Sequence, residues 1–173
     1  HAAFTRDIDG LTVVGVAAAE RIDFDALSAG MAATVEGASL VIASPLELAA
    51  RLPQGTPVIG ISWRSSNYEV GWLKGADLMA WRPLLSAVGA TFVNLQYGAC
   101  RAELAEVEKA LGIDIVQDAD IDPLKDMDAF AAQAAAMDLV ISTSNTTVHV
   151  AGALGVPTWV LLAAGRGRMW YWF

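Results

Sequence analysis

Six small polar residues stand in an unbroken row, Ser142-Thr-Ser-Asn-Thr-Thr147. The apolar Leu139-Val-Ile141 precedes them. A largely apolar run from Val148 to Leu154 follows and closes on Gly155-Val-Pro157, a helix-ending signal. A strand that ends, a turn of hydroxyls with one amide, and a helix that begins would bring free N–H groups, the positive end of a helix dipole and side-chain donors to one place. That chemistry suits an anion such as a phosphate. Ordinary capping by Ser144 or Asn145 needs one such residue rather than six. Ser144, Asn145, Thr146 and Thr147 are therefore candidate phosphate ligands. His149, two residues into the helix, stands near enough to its start to touch a phosphate or sugar.

Two further strand ends carry polar groups. In Ile59-Gly-Ile-Ser-Trp-Arg-Ser-Ser-Asn67 a strand runs into Arg64, Ser65, Ser66 and Asn67. An arginine there could neutralise a diphosphate while its neighbours add donors. The same residues also fit a solvated surface loop. In Phe92-Val-Asn-Leu-Gln-Tyr-Gly98, Gln96 and Tyr97 lie at the carboxyl end of a strand. They could read a base or ribose edge, or form a strand-to-helix turn that Gly98 tightens. Asp126 and Asp128 could hold a metal, but capping of the following helix explains them more simply. Arg166 and Arg168, after the last strand, are either phosphate contacts or solvated. Cys100 belongs to no Cys–His motif and reads as inert.

The elements that would position these groups follow from the apolar pattern. Leu11–Val16, Ser39–Ala43, Pro57–Trp63, Thr91–Tyr97, Ile113–Val116, Leu139–Thr143 and Thr158–Ala163 read as strands. Helices are expected at Phe24–Thr34, Pro45–Leu52, Leu78–Val88, Arg101–Leu111 and Asp128–Met137, besides the one after Thr147. From Pro57 onward strands and helices alternate. Near-continuous apolar strands in that order imply an α/β fold, a Rossmann-like parallel sheet with helices on both faces. Ligands of such sheets bind at the carboxyl ends of the strands, where all three polar segments fall.

The whole-chain quantities narrow the classes. The chain has 173 residues, 55 % of them hydrophobic and 17 % charged, which indicates a well-buried core. A net charge of −8 argues against nucleic acid or an anionic membrane as partner. A single cysteine fits a reducing compartment, and neither a transmembrane helix nor a signal peptide is read, so a cytoplasmic location is expected. A P-loop, a Gly-x-Gly-x-x-Gly dinucleotide fingerprint, a nucleophile elbow and a metal-spaced His/Cys cluster are all missing from the sequence. The opening His-Ala-Ala and the closing Trp170-Tyr-Trp-Phe173 read as the ends of a fragment.

Several segments occur together in a distinctive order: Gly60-Ile-Ser-Trp-Arg-Ser65, Trp81-Arg-Pro-Leu-Leu85, Phe92-Val-Asn-Leu-Gln-Tyr-Gly98, Asp128-Ala-Phe-Ala-Ala132 and Asn145-Thr-Thr-Val-His-Val-Ala-Gly-Ala-Leu-Gly-Val-Pro-Thr-Trp159. Over roughly residues 57–172 the chain resembles the C-terminal half of bacterial GT-B glycosyltransferases linked to tetratricopeptide (TPR) repeats. These are relatives of the family 9 heptosyltransferases and, more distantly, of the family 41 O-linked N-acetylglucosamine transferases. The resemblance implies that residues 1–50 end an N-terminal GT-B domain and its connecting segment. Residues 51–173 would be a C-terminal, truncated nucleotide-sugar-binding domain. It implies a donor diphosphate held by Arg64, Ser65, Ser66, Asn67, Ser144, Asn145, Thr146, Thr147 and His149, and a nucleoside facing Gln96 and Tyr97. No metal or other cofactor is expected, because helix dipole and donors would stabilise the departing diphosphate. Heptosyltransferase relatives often carry Asp-Thr-Gly where this chain has Ser144-Asn145-Thr146, and family 41 has a histidine where Asn145 stands. The identity of the donor is left open by both departures.

The implied function is sugar transfer from a nucleoside-diphosphate sugar to a protein, glycan or lipopolysaccharide acceptor, with a TPR or GT-B domain as partner in cis. This piece is expected to be inactive alone, and no residue in it is assigned as catalytic base. The alternatives are a non-catalytic nucleotide-binding or scaffolding module and, more weakly, a sugar-nucleotide epimerase. Replacing Asn145 and Thr146 by Ala is expected to weaken nucleotide binding and barely alter the fold.

Overall fold

The structure, a computed structural model, describes the backbone of residues 3–8, 11–16, 55–87 and 89–162. The expected elements at Phe24–Thr34, Ser39–Ala43 and Pro45–Leu52, and the candidates Arg166 and Arg168, lie outside the described residues.

Seven strands form one sheet: β1 (Ala3–Ile8), β2 (Leu11–Val16), β3 (Val58–Ser62), β4 (Thr91–Asn94), β5 (Ile115–Val116), β6 (Leu139–Thr143) and β7 (Thr158–Leu162). Their order across the sheet is β1-β2-β7-β6-β3-β4-β5. From β7 to β5 all neighbours are parallel, whereas β1 and β2 pair antiparallel and β2 joins β7 antiparallel. The expected α/β Rossmann-like arrangement is thus present, extended on one side by a hairpin that the sequence reading did not anticipate. All five residues of β3 are buried, as expected of a central strand covered on both faces.

The described helices are α1 (Gly71–Lys74), α2 (Arg82–Ala87), α3 (Arg101–Leu111), α4 (Met127–Ala135) and α5 (Thr146–Ala153), with a 3-10 turn at Leu78–Trp81 ahead of α2. The expected single helix over Leu78–Val88 is therefore broken. Pro83 has no N–H to offer the carbonyl of Met79, and its ring would crowd that carbonyl, so a continuous α-helix cannot pass. β4 stops at Asn94 rather than Tyr97. There the Asn94 side chain accepts the Gln96 N–H at 2.9 Å, and Gly98 turns the chain at a φ of 81°.

Two cores cover the two faces. On one, Ile59, Ile61, Trp63 and Phe92 of the sheet region pack with Leu78, Trp81, Leu85, Leu104 and Val107. On the other, Val58, Val93, Leu95 and Val140 pack with Phe130, Met137, Ala151 and Val156. The connections β3 to β4 and β4 to β5 therefore run over the first face, and those from β5 to β6 and β6 to β7 over the second. Gly60 permits the second packing, because a Cβ there would lie 2.4 Å from Leu95 Cδ1. Among the described residues, no helix is long and apolar enough to cross a membrane.

Candidate functional site

β3 and β6 are neighbours, yet the chain leaves them toward opposite faces. That divergence is the topological switch point of a doubly wound sheet, where a crevice opens at the carboxyl edge. The loop after β3 carries Arg64 to Asn67, and β6 leads into α5 through Ser144 and Asn145. The sheet order thus brings two polar segments, about eighty residues apart in sequence, to one place. A chamber of about 410 Å³ lies there.

Ser65, Ser66, Asn67, Ser144, Asn145, Thr146, His149 and Tyr97 all line that chamber. Lys74, at the end of α1, lines it too and was not recognised from the sequence. Among the described lining residues there is no carboxylate, although the whole chain carries a net charge of −8. The signal that could have found Lys74 was faint: a lone lysine seven residues beyond the polar loop, after a short Gly-Trp-Leu segment. Gly71 holds this loop close to α1, since a Cβ there would lie 2.3 Å from the Ser65 carbonyl oxygen. The loop closes on itself as well. Asn67 Oδ1 accepts the N–H groups of Glu69 and Val70, both at 3.0 Å, and the Asn67 carbonyl accepts Gly71 N–H at 2.8 Å. Across the chamber the Tyr97 hydroxyl accepts the Ser66 N–H at 3.4 Å.

Three of the expected ligands do not line this chamber, though Gln96 lines a neighbouring one. Arg64 turns away from the chamber: its guanidinium forms an ion pair with Glu103 of α3 and donates to the Ala99 carbonyl at 2.6 Å. It also lies 5.9 Å from the centroid of the Trp63 ring. Glu103 is a hub, because its other oxygen accepts Trp63 Nε1–H at 2.8 Å and Leu78 N–H at 3.2 Å. Thr147 is fully buried and does not line the chamber, and its hydroxyl has no hydrogen-bond partner among the described residues. Gln96 is 5 % exposed, and its amide oxygen accepts Ser62 Oγ–H, Trp63 N–H and Arg64 N–H at 3.0–3.2 Å. Its Nε2 donates to the Tyr97 carbonyl at 3.0 Å. Gln96 thus clamps the end of β4 to the end of β3.

Asn145 is the second clamp. It is 6 % exposed, and its Nδ2 donates to Ser62 Oγ at 2.7 Å and to the Arg64 carbonyl at 3.0 Å. Its Oδ1 caps α5 by accepting Thr147 N–H at 2.9 Å and lies 3.0 Å from Ser142 Oγ. Two donors and two acceptor positions are thereby all engaged within the protein. Asn145 lines the chamber but ties the ends of β3 and β6 to the start of α5, which corrects the expectation that replacing Asn145 and Thr146 together would barely alter the fold. The buried chain Gln96–Ser62–Asn145–Ser142 fixes the floor of the site.

Asp126 accepts Ala129 N–H at 2.9 Å as the cap of α4, which is the simpler of its two readings. Among the described residues, no group of three or more His, Cys, Asp or Glu is placed to hold a metal ion. Cys100 is buried with a free thiol.

No family model matches the chain. Protein FlbA of Caulobacter vibrioides (strain ATCC 19089 / CIP 103742 / CB 15) is 40 % identical to it over 109 residues, which is 62 % of this chain and 18 % of FlbA. The chain thus spans less than a fifth of the length of this relative. No solved structure matches.

Proposed function

We propose that this chain supplies the donor-diphosphate site of a glycosyltransferase that uses a nucleoside-diphosphate sugar. The observation that carries the reading is the chamber at the switch point, walled by a hydroxyl-rich loop, by the start of α5 and by Lys74, with no carboxylate among its described lining residues. The first-turn N–H groups of α5 have no carbonyl partner within the helix, and its dipole favours negative charge there. In the proposed reaction the acceptor oxygen bonds to the sugar's anomeric carbon as the bond to the diphosphate breaks. The electron pair stays on the diphosphate. Charge therefore builds where Lys74, the loop hydroxyls and the start of α5 converge, and groups fixed in advance stabilise that charge most. The acceptor, a protein or a glycan, and the catalytic base belong to the whole protein rather than to these residues.

Calorimetric titration of the chain with UDP, GDP, ADP and CMP, without added metal, tests the reading. Saturable binding of one diphosphate, weakened about tenfold in Lys74→Ala by loss of a charge-assisted contact, is the expected result. Failure of all four to bind refutes the donor site. Binding without sugar transfer by the whole protein favours the alternative, a non-catalytic nucleotide-binding or scaffolding module.

A further inference from the structure

The segment between β3 and the 3-10 turn carries Ser65, Ser66, Asn67 and Lys74, all of which line the chamber. Its two ends meet at one carboxylate. Glu103 Oε1 accepts Trp63 Nε1–H at 2.8 Å and Leu78 N–H at 3.2 Å, and Oε2 pairs with the Arg64 guanidinium. Trp63 and Leu78 are fully buried, so little water could replace that oxygen, and both donors depend on it. Glu103 itself does not line the chamber.

The two ends are held unequally. At the entry, Gln96 accepts the Trp63 and Arg64 N–H groups, Asn145 donates to the Arg64 carbonyl, and the Tyr97 hydroxyl accepts the Ser66 N–H. At the exit, the described bonds to the rest of the chain are Ala76 N–H to the Trp63 carbonyl at 2.9 Å and Leu78 N–H to Glu103, beside the packing of the Leu78 side chain. Lys74 stands on this less braced side, close ahead of Leu78 in the chain. We infer that Glu103 is a positioning residue of the chamber. Through Oε1 it fixes where the loop stands, Lys74 above all, and so governs affinity for a diphosphate that it does not touch. The ion pair on its other oxygen is not the route, because the Arg64 side chain turns away from the chamber and its backbone is held by Gln96 and Asn145. This rests on the diphosphate reading of the chamber.

The test titrates UDP into the full chain and into Glu103→Met, Glu103→Gln, Lys74→Ala and the double variant Glu103→Met/Lys74→Ala, below the temperature at which thermal melts show each to unfold. Hydrogen exchange of the Gly71, Gly75 and Ala76 amides is measured alongside, without ligand. Glu103→Met should weaken UDP about tenfold, as Lys74→Ala does, because a displaced ammonium loses the same charge-assisted contact. Glu103→Gln should stay within about twofold, since its amide oxygen still accepts both N–H groups. The double variant should bind about as weakly as Lys74→Ala alone, a non-additivity that general destabilisation would not produce. The three amides should exchange faster in Glu103→Met and not in Glu103→Gln. Glu103→Asp keeps the charge but draws it back by one methylene; it should lose affinity several-fold, and it replaces Glu103→Met if that variant does not fold. Unchanged UDP affinity in folded Glu103→Met, additive losses in the double variant, or a loss in Glu103→Gln equal to that in Glu103→Met would overturn the assignment. UDP failing to bind the unmodified chain would overturn the diphosphate reading and the effect on affinity with it, whereas unchanged exchange in Glu103→Met would overturn the positioning itself.

Discussion

Asn145→Ala should unfold the chain at a distinctly lower temperature. The substitution removes the cap on Thr147 N–H, worth about 1 kcal/mol, and the two donated bonds to Ser62 Oγ and the Arg64 carbonyl. Each donated bond contributes about 1 kcal/mol net, and the groups left behind are buried or half-buried, with little water to replace the amide. Ser62 keeps its bond to Gln96, which limits the damage on that side. A total near 3 kcal/mol follows, the range of substitutions that break a buried network. For a domain of this size that is a fall of about 6–12 °C in Tm. Thermal unfolding followed by circular dichroism measures it. Asn145→Ser keeps a capping oxygen but reaches neither cross-strand acceptor, and should recover about 1 kcal/mol of the loss. A fall of less than about 2 °C for Asn145→Ala would refute the view that this amide holds the strand ends together. Because the residue is structural, lost ligand affinity in Asn145→Ala says little about ligand contact, and Lys74 is the cleaner probe.

Arg64→Ala should leave UDP affinity within about twofold and cost about 1 kcal/mol of stability, since the ion pair with Glu103 is part-exposed and points away from the chamber. A loss of affinity as large as that of Lys74→Ala in the same titration would show that Arg64 swings into the site. The hydrogen bond from Lys125, then that from the Leu124 N–H, hold the Asp122 carboxyl below the usual carboxylate range, and Asp122 holds Lys125 above the usual lysine range. The Asp122 contribution is therefore complete above the ordinary Asp pKa and lost as pH falls through the lowered one. The Lys125 contribution is complete below the ordinary lysine pKa and lost as pH rises through the raised one. In Lys125→Met an NMR titration should find the Asp122 midpoint raised toward the ordinary range but not all the way, because the Leu124 N–H still bonds the carboxylate, and an unmoved midpoint would remove Lys125 as the main cause.

Much of the sheet was legible because its signal is local. β2, β6 and α3 occupy the spans their apolar patterns indicate, β3 is one residue shorter at each end, and β7 starts at the expected residue. β1 was missed although a two-residue connection, Asp9-Gly10, separates Ile8 from its partner Leu11, a strong hairpin signal. Its own alternation is weak, with Thr5, Arg6 and Asp7 in a row. The break in Leu78–Val88 was legible in principle, since Pro83 is visible in the sequence, but the periodicity of Leu78, Trp81, Leu84 and Leu85 runs straight through it.

The site divides along the same line. Polar residues at strand ends can be seen in one dimension, and most of those picked out do line the chamber. What composition cannot show is which of them the protein consumes. Asn145 and Gln96 have the residue type and the position of ligands, yet both donors and both acceptor positions of Asn145, and the amide oxygen and one amide N–H of Gln96, are taken within the protein. Lys74, by contrast, is found by where α1 ends rather than by any motif. Which polar groups stay available at this sheet edge is thus decided by the hydrogen bonds left over after the strand ends are tied together. The residues that do the tying have the same types and positions as those left available, so a sequence pattern does not separate the two.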